Sequence, residues 1–323
     1  MSVPASPALP LRPLGQTGLT VTRLAMGVLP IGPAQLNAPI AEGQQVVAAA
    51  LDGGINFVDT AQSYRTYEYI RPALTGRKDR IVVSSKSAAA GYTEMKTAIN
   101  EALAALQVER LGIFHLHAAR SGAEVFTQRA GALRCLVEAK QAGIIQAIGI
   151  ATHSVTVTRA AGDRDDIDVV FPILNVRGLG ILHGTRDEMV QSVKYAAAQG
   201  KGLYCMKVFG GGNLLDDMAG ALSFALGVDE FAAYAVGMVT QREVEMNLRI
   251  FKGLDAAPGP GAAVFQAKRL NILGLCQGCG TCVETCPNFA LSLVNGKAVA
   301  DRSKCLLCGY CAPVCPQFAI RIV

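Results

Sequence analysis

The sequence predicts an α/β protein in which a (β/α)8 or TIM barrel of eight strand–helix units is followed by a small cysteine-rich α+β domain. Through most of the chain, short apolar and β-branched runs alternate with longer segments of helical periodicity, which is typical of a parallel sheet covered by helices. The last fifty residues hold eight of the ten cysteines. We therefore expect a barrel over residues 1–253, a linker over 254–273 and the cysteine-rich domain over 274–323.

Each expected strand is a short run rich in apolar residues. The strands lie at residues 24–27, 56–60, 81–86, 113–117, 147–152, 169–174, 202–208 and 233–238. The helical segments lie at residues 41–53, 66–75, 93–107, 122–142, 154–162, 185–200, 216–227 and 241–252. Eight such pairs in about 235 residues match a (β/α)8 barrel in number and size. A doubly wound sheet is the alternative, but no Gly-x-Gly-x-x-Gly motif follows the first strand.

The composition argues against several classes of protein. Hydrophobic residues make up 51% of the chain and charged residues 17%, as in a globular protein with a large core. The net charge of +5 is spread along the chain without basic runs interleaved with aromatic residues, so nucleic acid is not an expected partner. No apolar run approaches eighteen residues, and the first thirteen residues lack a basic start followed by an apolar stretch. We therefore expect no membrane insertion.

The C-terminal cysteines form an internal duplication. Each copy has the spacing Cys-x2-Cys-x2-Cys-x3-Cys-Pro, and matched positions lie 29 residues apart. The first copy contains Cys276, Cys279, Cys282 and Cys286, and the second contains Cys305, Cys308, Cys311 and Cys315. Zinc sites and a disulfide framework are the alternatives, but zinc needs four ligands per site and has no use for the final Cys-Pro. Two cubane iron–sulfur clusters fit the spacing better.

In this cysteine pattern, residues 274–323 resemble the two-cluster bacterial ferredoxins. In that family the fourth cysteine of each run ligates the other cluster. The resemblance therefore implies two 4Fe–4S clusters, the first held by Cys276, Cys279, Cys282 and Cys315, and the second by Cys305, Cys308, Cys311 and Cys286. Asn295-Gly296 supplies the hairpin turn expected between the two cluster loops. Oxygen-labile clusters and two further cysteines, Cys135 and Cys205, predict a reducing, cytoplasmic location.

Polar residues at the C-terminal ends of neighbouring strands predict a catalytic site, because chemistry in such barrels takes place at that rim. Asp59 ends the second strand, Tyr64 follows it, Lys86 ends the third strand and His117 ends the fourth. A lysine paired with an aspartate provides a cation that can lower the pKa of a tyrosine, and a histidine can orient a carbonyl oxygen. Each residue taken singly is more often a cap or solvated, but the set favours proton transfer.

These residues and the segments around them resemble the aldo-keto reductases. The resemblance covers residues 11–252 and rests on Leu14-Gly15-Gln16-Thr17-Gly18-Leu19, on Gly54-Ile55-Asn56-Phe57-Val58-Asp59-Thr60-Ala61 followed by Ser63-Tyr64, on Ser85-Lys86 and on His117. It implies that Tyr64 is the general acid, that Lys86 and Asp59 are its tuning pair, and that His117 orients the carbonyl. It also implies hydride transfer between a nicotinamide cofactor and a small carbonyl or alcohol substrate.

The expected cofactor site departs from the family pattern. Ala151-Thr152 replaces the Ser-Asn that follows the fifth strand, Phe171 aligns with a glutamine, and Met206 aligns with the ring that stacks on nicotinamide. Cofactor contacts are expected from Thr152, Asn175, Met206, Lys207, Gly210, Gly211, Gly212, Thr240, Glu243 and Asn247. The three glycines can approach phosphates closely. Glu243 aligns with an arginine of members selective for the 2′-phosphate, and this favours NAD(H) over NADP(H).

A histidine and three arginines near the rim each allow two interpretations. His115 lies two residues before His117, and we expect a hydrogen-bonded interior residue, with a metal ligand as the alternative. Arg65, Arg120 and Arg177 follow the second, fourth and sixth strands. They could bind an anionic substrate, because guanidinium groups match carboxylates, or they could form a solvated rim.

The two domains imply different electron chemistry. A hydride carries two electrons, whereas each cluster passes one at a time, and a flavin is the usual converter, although no flavin motif is visible. The leading hypothesis is an aldo-keto-reductase-type oxidoreductase coupled through its clusters to a redox partner protein. The alternatives are an electron-transfer or partner-docking protein whose nicotinamide site is degraded, and a barrel whose clusters are only structural.

Overall fold

The computed structural model describes residues 7–259, 269–312, 314–317 and 319–322, without the side chain of Arg321. Within residues 7–259, eight parallel strands close into a barrel: β3 (Leu24–Gly27), β4 (Phe57–Asp59), β5 (Val82–Ser87), β6 (Leu111–Ala118), β7 (Ile145–Thr152), β8 (Val169–Pro172), β9 (Gly202–Met206) and β10 (Ala233–Gly237). Successive strands pair with each other, and β10 pairs with β3 to close the ring. The predicted (β/α)8 barrel is confirmed.

The helices that surround the barrel are α1 (Ile40–Asp52), α2 (Tyr67–Ile70), α3 (Tyr92–Leu106), α4 (Val125–Gln128), α5 (Ala130–Gln141), α6 (Val155–Gly162), α7 (Arg186–Ala198), α8 (Met218–Leu226) and α9 (Gln241–Phe251). They cover the strands with one apolar face each; in α1, Val46, Val47, Ala50 and Leu51 are buried at the spacing of a single helix face.

Two of the predicted helices are broken in the structure. The segment predicted at 66–75 consists of α2 and a 3-10 turn at Arg71–Leu74, which has a proline near its start. Proline has no amide hydrogen to donate, so it is tolerated at the start of a turn but not within a continuous helix. The segment predicted at 122–142 consists of α4 and α5, separated at Arg129, whose φ of −113° is not helical.

A hairpin precedes the barrel and closes its N-terminal end. It consists of β1 (Leu11–Pro13) and β2 (Thr20–Thr22), which the sequence analysis did not predict as strands. Leu14 and Leu19 in its turn are buried in the cluster that fills the barrel interior. Gly15 has a positive φ of 55°, and a Cβ there would overlap the backbone of Gly202 at the start of β9, so this position requires glycine.

The C-terminal domain contains β11 (Leu270–Ile272), α10 (Thr281–Thr285), β12 (Leu291–Val294), β13 (Lys297–Ala300) and β14 (Ile320–Ile322). β11 pairs antiparallel with β14, and β12 with β13. Asn295 and Gly296 turn between β12 and β13, both at positive φ, as predicted for a two-residue hairpin loop. β11 lies within the predicted linker and pairs with β14 of this domain.

The predicted linker over 254–273 falls partly on residues 260–268, which lie outside the described residues. Before that gap, the amide of Ala219 in α8 donates to the carbonyl of Pro258 at 2.9 Å, so the start of the linker contacts the barrel. In the part of the chain that the structure describes, no helix has the length and apolar character required to cross a membrane.

Candidate active site at the domain junction

Lys86 and Asp59 form a buried ion pair at the C-terminal rim of the barrel, on the neighbouring strands β5 and β4. The ammonium of Lys86 donates to the two carboxylate oxygens of Asp59 at 2.9 and 2.8 Å and to the carbonyl of Thr60 at 2.7 Å. These contacts use all three donors of an ammonium group. Burial raises the pKa of Asp59 and lowers that of Lys86, and the attraction between the two charges opposes both shifts.

Tyr64 and His117 lie next to this pair. The ring of Tyr64 is 7% exposed and meets the ring of His117 edge-on, with centroids 6.0 Å apart. The ammonium nitrogen of Lys86 lies 4.8 Å from the centre of the Tyr64 ring. The structure therefore brings the four predicted catalytic residues together at one point of the rim.

The pKa of Tyr64 differs from the expectation that Lys86 lowers it. Burial, followed by the neighbouring Tyr310 and the charge of Asp59, raises this pKa well above its usual value. The physical reason is that the ammonium of Lys86 directs its protons to Asp59 and to the backbone rather than to the phenol. The hydroxyl of Tyr64 consequently keeps its proton at neutral pH. Burial and the charge of Lys86 lower the pKa of His117 well below its usual value, so this imidazole is neutral.

A buried hydrogen-bond network lies beneath the ion pair. The hydroxyl of Tyr204 donates to Asp59 Oδ1 at 3.1 Å and lies 2.8 Å from His115 Nε2 and 2.9 Å from Ser84 Oγ. Because the single proton of Tyr204 goes to Asp59, His115 acts as the donor from Nε2 to the hydroxyls around it. His115 is fully buried and hydrogen-bonded, in agreement with its predicted interior position. Tyr204 was missed; its sequence signal is a tyrosine within a predicted strand.

We expect Tyr204→Phe to reduce both stability and activity. The substitution keeps the ring that stacks on Phe171 at a centroid distance of 3.7 Å, but it removes one hydrogen bond each from buried Asp59 and His115, whose remaining partners are Lys86 and Ser84. The cost in free energy of unfolding should be about 1–3 kcal/mol, measurable by urea unfolding. Tyr234→Phe is the control, because Tyr234 is also buried and hydrogen-bonded but lies outside the site. Equal losses of activity in both variants would contradict a role for Tyr204 in holding Asp59.

A cleft of about 270 Å³ runs along the rim from the catalytic residues. Asp59 and Tyr64 line one end of it, and Glu243 and Asn247 in α9 line the other. Four further residues predicted to contact a cofactor line the cleft: Met206, Lys207, Gly211 and Gly212. The cleft thus connects the catalytic residues with the helix predicted to hold the adenosine end of a nicotinamide cofactor.

Each predicted set of cluster ligands surrounds its own cavity in the C-terminal domain. The first cavity is lined by Cys276, Cys279, Cys282 and Cys315, and the second by Cys286, Cys305, Cys308 and Cys311. Backbone amides donate at 3.3 Å to the sulfurs of Cys276, Cys286 and Cys315. Four thiolates with amide donors are the environment in which proteins hold cubane clusters, so the residues present fit two 4Fe–4S groups.

The second cysteine loop, residues 305–311, lies on the rim of the barrel, and we call it the docking loop. The side-chain amide of Gln35 donates to the carbonyl of Cys308 at 3.3 Å, and that of Asn213 donates to the carbonyl of Cys305 at 2.8 Å. These two bonds fix the backbone of the loop that carries three ligands of the second cluster cavity. The second cavity is therefore the one beside the barrel.

Apolar contacts reinforce the docking loop. Leu306 and Leu307 are 1% and 4% exposed, and burying a leucine side chain contributes about 1.5–3 kcal/mol. A Cβ at Gly211 would overlap the carbonyl oxygen of Leu306, so the predicted phosphate-binding glycines also form part of the domain contact. Tyr310 follows in the same loop, and its ring centre lies 6.4 Å from that of Tyr64.

The duplication contains a signal for this contact that the sequence analysis did not use. The docking loop carries Leu306, Leu307 and Tyr310 at the positions where the first copy has Gln277, Gly278 and Thr281. Leu307 adopts a positive φ of 49°, a conformation that favours glycine and that its counterpart Gly278 adopts at 69°. Large apolar residues in one copy only, one of them in an unfavourable backbone conformation, indicate which loop contacts the barrel.

The two copies also provide a matched test of the contact. Gly309 and Gly280 occupy equivalent positions and have the same φ of 83°, so alanine introduces the same backbone strain at both. A Cβ at Gly309 would overlap the carbonyl oxygen of Ala34, whereas the nearest atom to one at Gly280 is 3.9 Å away. We expect Gly309→Ala to raise amide hydrogen exchange at residues 29–38, and Gly280→Ala to leave it unchanged. Similar exchange in the two variants would contradict docking through this loop.

Comparison with known proteins assigns both domains. Residues 23–222, more than half of the chain, match the aldo/keto reductase family. The chain belongs to the aldo/keto reductase family. Residues 275–319 match the 4Fe-4S dicluster domain. The protein is therefore an oxidoreductase of this family that carries a C-terminal iron–sulfur domain.

Relatives of this aldo/keto reductase include two sugar enzymes. L-galactose dehydrogenase of Arabidopsis thaliana is 25% identical over 304 residues, which cover 76% of this chain and 89% of that protein. The 6-dehydroglucose reductase of Novosphingobium aromaticivorans is 25% identical over 173 residues, which cover 47% of this chain and 54% of that protein.

Solved structures of aldo-keto reductases share the fold. One from Pseudomonas aeruginosa, described as an aldo-keto reductase, has a TM-score of 0.66 and 23% identity and covers 77% of this chain and 98% of its own. The holo form of an aldo-keto reductase from Bacillus halodurans has a TM-score of 0.62 and 18% identity. The match covers 79% of this chain and 99% of that chain. At these identities the comparison shows the fold alone.

The structure divides the predicted cofactor residues of this reductase into two groups. Asn247 lines the cleft, and its Oδ1 is buried without a partner, so it can accept a hydrogen bond from an adenine amino group. Thr152 accepts from the amide of Ser154 at 3.0 Å, and both ends of the Asn175 amide bond to Leu179 at 2.9 Å. Thr152 and Asn175 therefore already have local hydrogen-bond partners.

Two further predicted residues act in the local structure. Thr240 caps α9 by accepting from the amide of Glu243 at 3.1 Å. Gly210 begins the 3-10 turn Gly210–Gly212, and its carbonyl accepts from the side chain of Asn213 at 2.8 Å. These contacts hold the backbone around the part of the cleft predicted to bind the phosphates and adenosine of a cofactor.

The three rim arginines have different surroundings. Arg120 donates to the backbone carbonyl of Glu284 in the iron–sulfur domain, so it lies in the domain contact. Arg177 lies 3.7 Å from Asp216 in an exposed ion pair. Arg65 is exposed at a positive φ of 55°. The iron–sulfur domain thus covers Arg120, whereas the exposure of Arg65 and Arg177 is that of a solvated rim.

His153 is a further residue that the sequence analysis missed. Its Nδ1 donates to Oδ1 of Asn288 in the iron–sulfur domain at 3.0 Å, and both side chains are buried. Burial, with a smaller contribution from the charge of Lys207, lowers the pKa of His153 to about 4, so it is neutral at neutral pH. His153 also influences the pKa of His117, which places this interdomain bond beside the catalytic residues.

Proposed function

We propose that this protein reduces a small carbonyl compound to the alcohol, with NADH bound in the cleft and with its clusters linked to a redox partner protein. One observation carries the proposal: a single cleft connects Asp59 and Tyr64 at one end with Glu243 and Asn247 at the other. This arrangement supports a nucleotide site next to a site for proton transfer. The names of two relatives, L-galactose dehydrogenase and 6-dehydroglucose reductase, favour a sugar as the kind of substrate.

The residues of this chain can perform the proton transfer that carbonyl reduction requires. A nicotinamide bound in the cleft supplies the hydride. The protonated hydroxyl of Tyr64 donates to the carbonyl oxygen, and the neutral imidazole of His117 orients that oxygen from the side. The ammonium of Lys86 stabilises the negative charge that develops on the carbonyl oxygen. Burial raises the pKa of Tyr64, so its hydroxyl is protonated at neutral pH, which is the form that donates in carbonyl reduction.

The adenosine end of the cleft supports NAD(H). The carboxylate of Glu243 lines it and accepts from the amide of Val239 at 2.7 Å, which fixes a negative charge at this position. A 2′-phosphate would be repelled there, since like charges in a partly buried cleft are weakly screened.

The position of the second cluster site supports coupling to one-electron transfer. Cys308 and Cys311, two of its proposed ligands, flank Tyr310, which contacts Tyr64. Two clusters together hold two electrons, the number carried by one hydride. The electron totals therefore balance, but each cluster accepts a single electron, so passing the two electrons of a hydride to the clusters requires a two-electron to one-electron converter such as a flavin.

We expect NADH to bind the anaerobically prepared protein, with both clusters loaded, at least about tenfold more tightly than NADPH. Titrations followed by absorbance and by electron paramagnetic resonance report binding and cluster reduction separately. Saturable NADH binding followed by reduction of a small aldehyde supports the enzyme, and reduction of the clusters by NADH in the electron paramagnetic resonance signal supports the coupling. Absence of saturable binding of either nucleotide would instead support the alternative, an electron-transfer protein with a degraded nicotinamide site.

A further inference from the structure

Tyr310 occupies an unusual place for a residue of a cysteine loop. It packs against an apolar cluster that belongs to the barrel and consists of Leu29, Ala34, Ala61 and Tyr64. Its ring is tilted by 30° relative to that of Tyr64. Tyr310 thus brings a large aromatic ring of the iron–sulfur domain against the proposed proton donor, and the hydroxyls of the two tyrosines are hydrogen-bonded.

Other interdomain bonds hold the domain over the same part of the rim. His153 forms a hydrogen bond with Asn288, and Arg120 donates to the carbonyl of Glu284, four residues before Asn288 in the chain. Neither Tyr310 nor Asn288 borders the long cleft, which ends at Tyr64. The side of Tyr64 away from the cleft is therefore enclosed by residues of the C-terminal domain.

We propose that Tyr310 is a specificity-determining residue, which forms a wall of the substrate site and restricts the reductase to small carbonyl compounds. The inference rests on the proposed function, because it needs a carbonyl to bind at Tyr64. It assigns the iron–sulfur domain a second role besides electron transfer, as one side of the site. The catalytic site is then assembled from both domains.

The duplication supports a selective role for this side chain. Thr281 occupies the equivalent position in the first copy, between Cys279 and Cys282, and its hydroxyl lies 3.5 Å from the sulfur of Cys279. A cluster loop of this spacing therefore does not need an aromatic ring at that position. The ring of Tyr310 is present in the copy that faces Tyr64, where its size matters to what can bind.

An anchor that merely fastens the two domains would have different consequences. Loss of an anchor would lower the rate for every substrate alike. Loss of a wall changes which substrates fit. Even one methylene group in an apolar pocket changes the ratio of kcat/KM between two substrates measurably, so removal of an aromatic ring should change this ratio strongly.

The test uses the full-length protein with its clusters loaded and compares propanal with benzaldehyde. Tyr310→Ala should raise the ratio of kcat/KM for benzaldehyde to that for propanal by about tenfold or more. Tyr310→Phe keeps the ring and should therefore have the same ratio of kcat/KM values as the wild-type protein. Thr281→Ala is the matched control in the other copy and should leave the ratio unchanged. If Tyr310→Ala loses its clusters, Tyr310→Leu keeps an apolar anchor and provides the same comparison.

A second measurement does not depend on turnover. Acetylation of Tyr64 by N-acetylimidazole, followed by mass spectrometry, reports whether its hydroxyl is covered. We expect Tyr64 to react several times faster in Tyr310→Ala than in Tyr310→Phe or Thr281→Ala. Buried Tyr69 and Tyr204 serve as internal controls for general unfolding.

The outcomes separate the two proposals. An unchanged substrate ratio together with unchanged acetylation of Tyr64 in Tyr310→Ala overturns the role of Tyr310, even when carbonyl reduction is observed. If the wild-type protein reduces no carbonyl, the proposed function fails, and the specificity role fails with it. Acetylation then still shows whether Tyr310 covers Tyr64.

Discussion

Tyr64→Phe should lower kcat for carbonyl reduction by about 10²–10⁴-fold, the usual contribution of a general acid, while leaving cluster absorbance and NADH binding intact. The hydroxyl of Tyr64 keeps its proton because burial, Tyr310 and the charge of Asp59 raise its pKa. In the phenylalanine variant the carbonyl oxygen loses this donor, although the ring that packs beside His117 remains. Rates measured under single turnover separate the chemical step from product release.

Tyr67→Phe is the matched control. Tyr67 lies three residues further along the chain and is also buried. Its hydroxyl forms a 2.8 Å hydrogen bond with that of Ser85, and Tyr67 does not line the cleft. Its loss should cost about 1 kcal/mol of stability, the net value of one buried hydrogen bond, and leave most of the activity. Full activity in Tyr64→Phe would contradict the assignment of Tyr64 as the proton donor.

Lys86→Met extends this prediction to the ion pair. It removes the cation near Tyr64 and leaves Asp59 buried without its partner, which should cost about 3–5 kcal/mol of unfolding free energy. We therefore expect loss of turnover together with a lower midpoint of thermal unfolding. Lys86→Met with Asp59→Asn, which removes both charges, should recover stability but not activity. Recovery of both would show that the pair is only structural.

The fold was predictable because its signals are local. Each barrel strand is a short apolar run, and the helices between them have a regular period, so the number and order of the units follow from the sequence. The break at Arg129 was missed because no proline marks it and the nearest glycine, Gly131, lies two residues further along, inside α5. The hairpin of β1 and β2 was missed because each strand has three residues, too short for a clear alternation.

The candidate site was predictable in part, for a similar reason. Asp59, Lys86 and His117 end neighbouring strands, and the topology of a parallel barrel places strand ends together. Residues whose position depends on contacts far apart in the chain, such as Tyr310 and His153, could not be placed in this way. The direction of the pKa shift of Tyr64 could not be predicted either, because it depends on the burial of the phenol and on Tyr310, which comes from a distant part of the chain.

Cys308→Ser and Cys279→Ser should have unequal effects on catalysis although they change equivalent positions of the two copies. Each removes one proposed thiolate ligand and should lower the iron and sulfide content by about half if the other cluster survives. The carbonyl of Cys308 accepts from Gln35 in the barrel, whereas Cys279 is exposed. We expect Cys308→Ser to lose most of the NADH-dependent carbonyl reduction and Cys279→Ser to retain most of it.

The reason for this difference is mechanical rather than electronic. NADH delivers both electrons directly to the carbonyl, so neither cluster needs to pass electrons in that assay. The second cluster, however, would hold the docking loop in shape, and that loop places Tyr310 against Tyr64. Equal loss of activity in the two variants would contradict this view. Amide hydrogen exchange at residues 29–38 then distinguishes two explanations. Collapse of the whole domain raises this exchange in both variants. A need for electrons through the first cluster leaves the exchange low in Cys279→Ser.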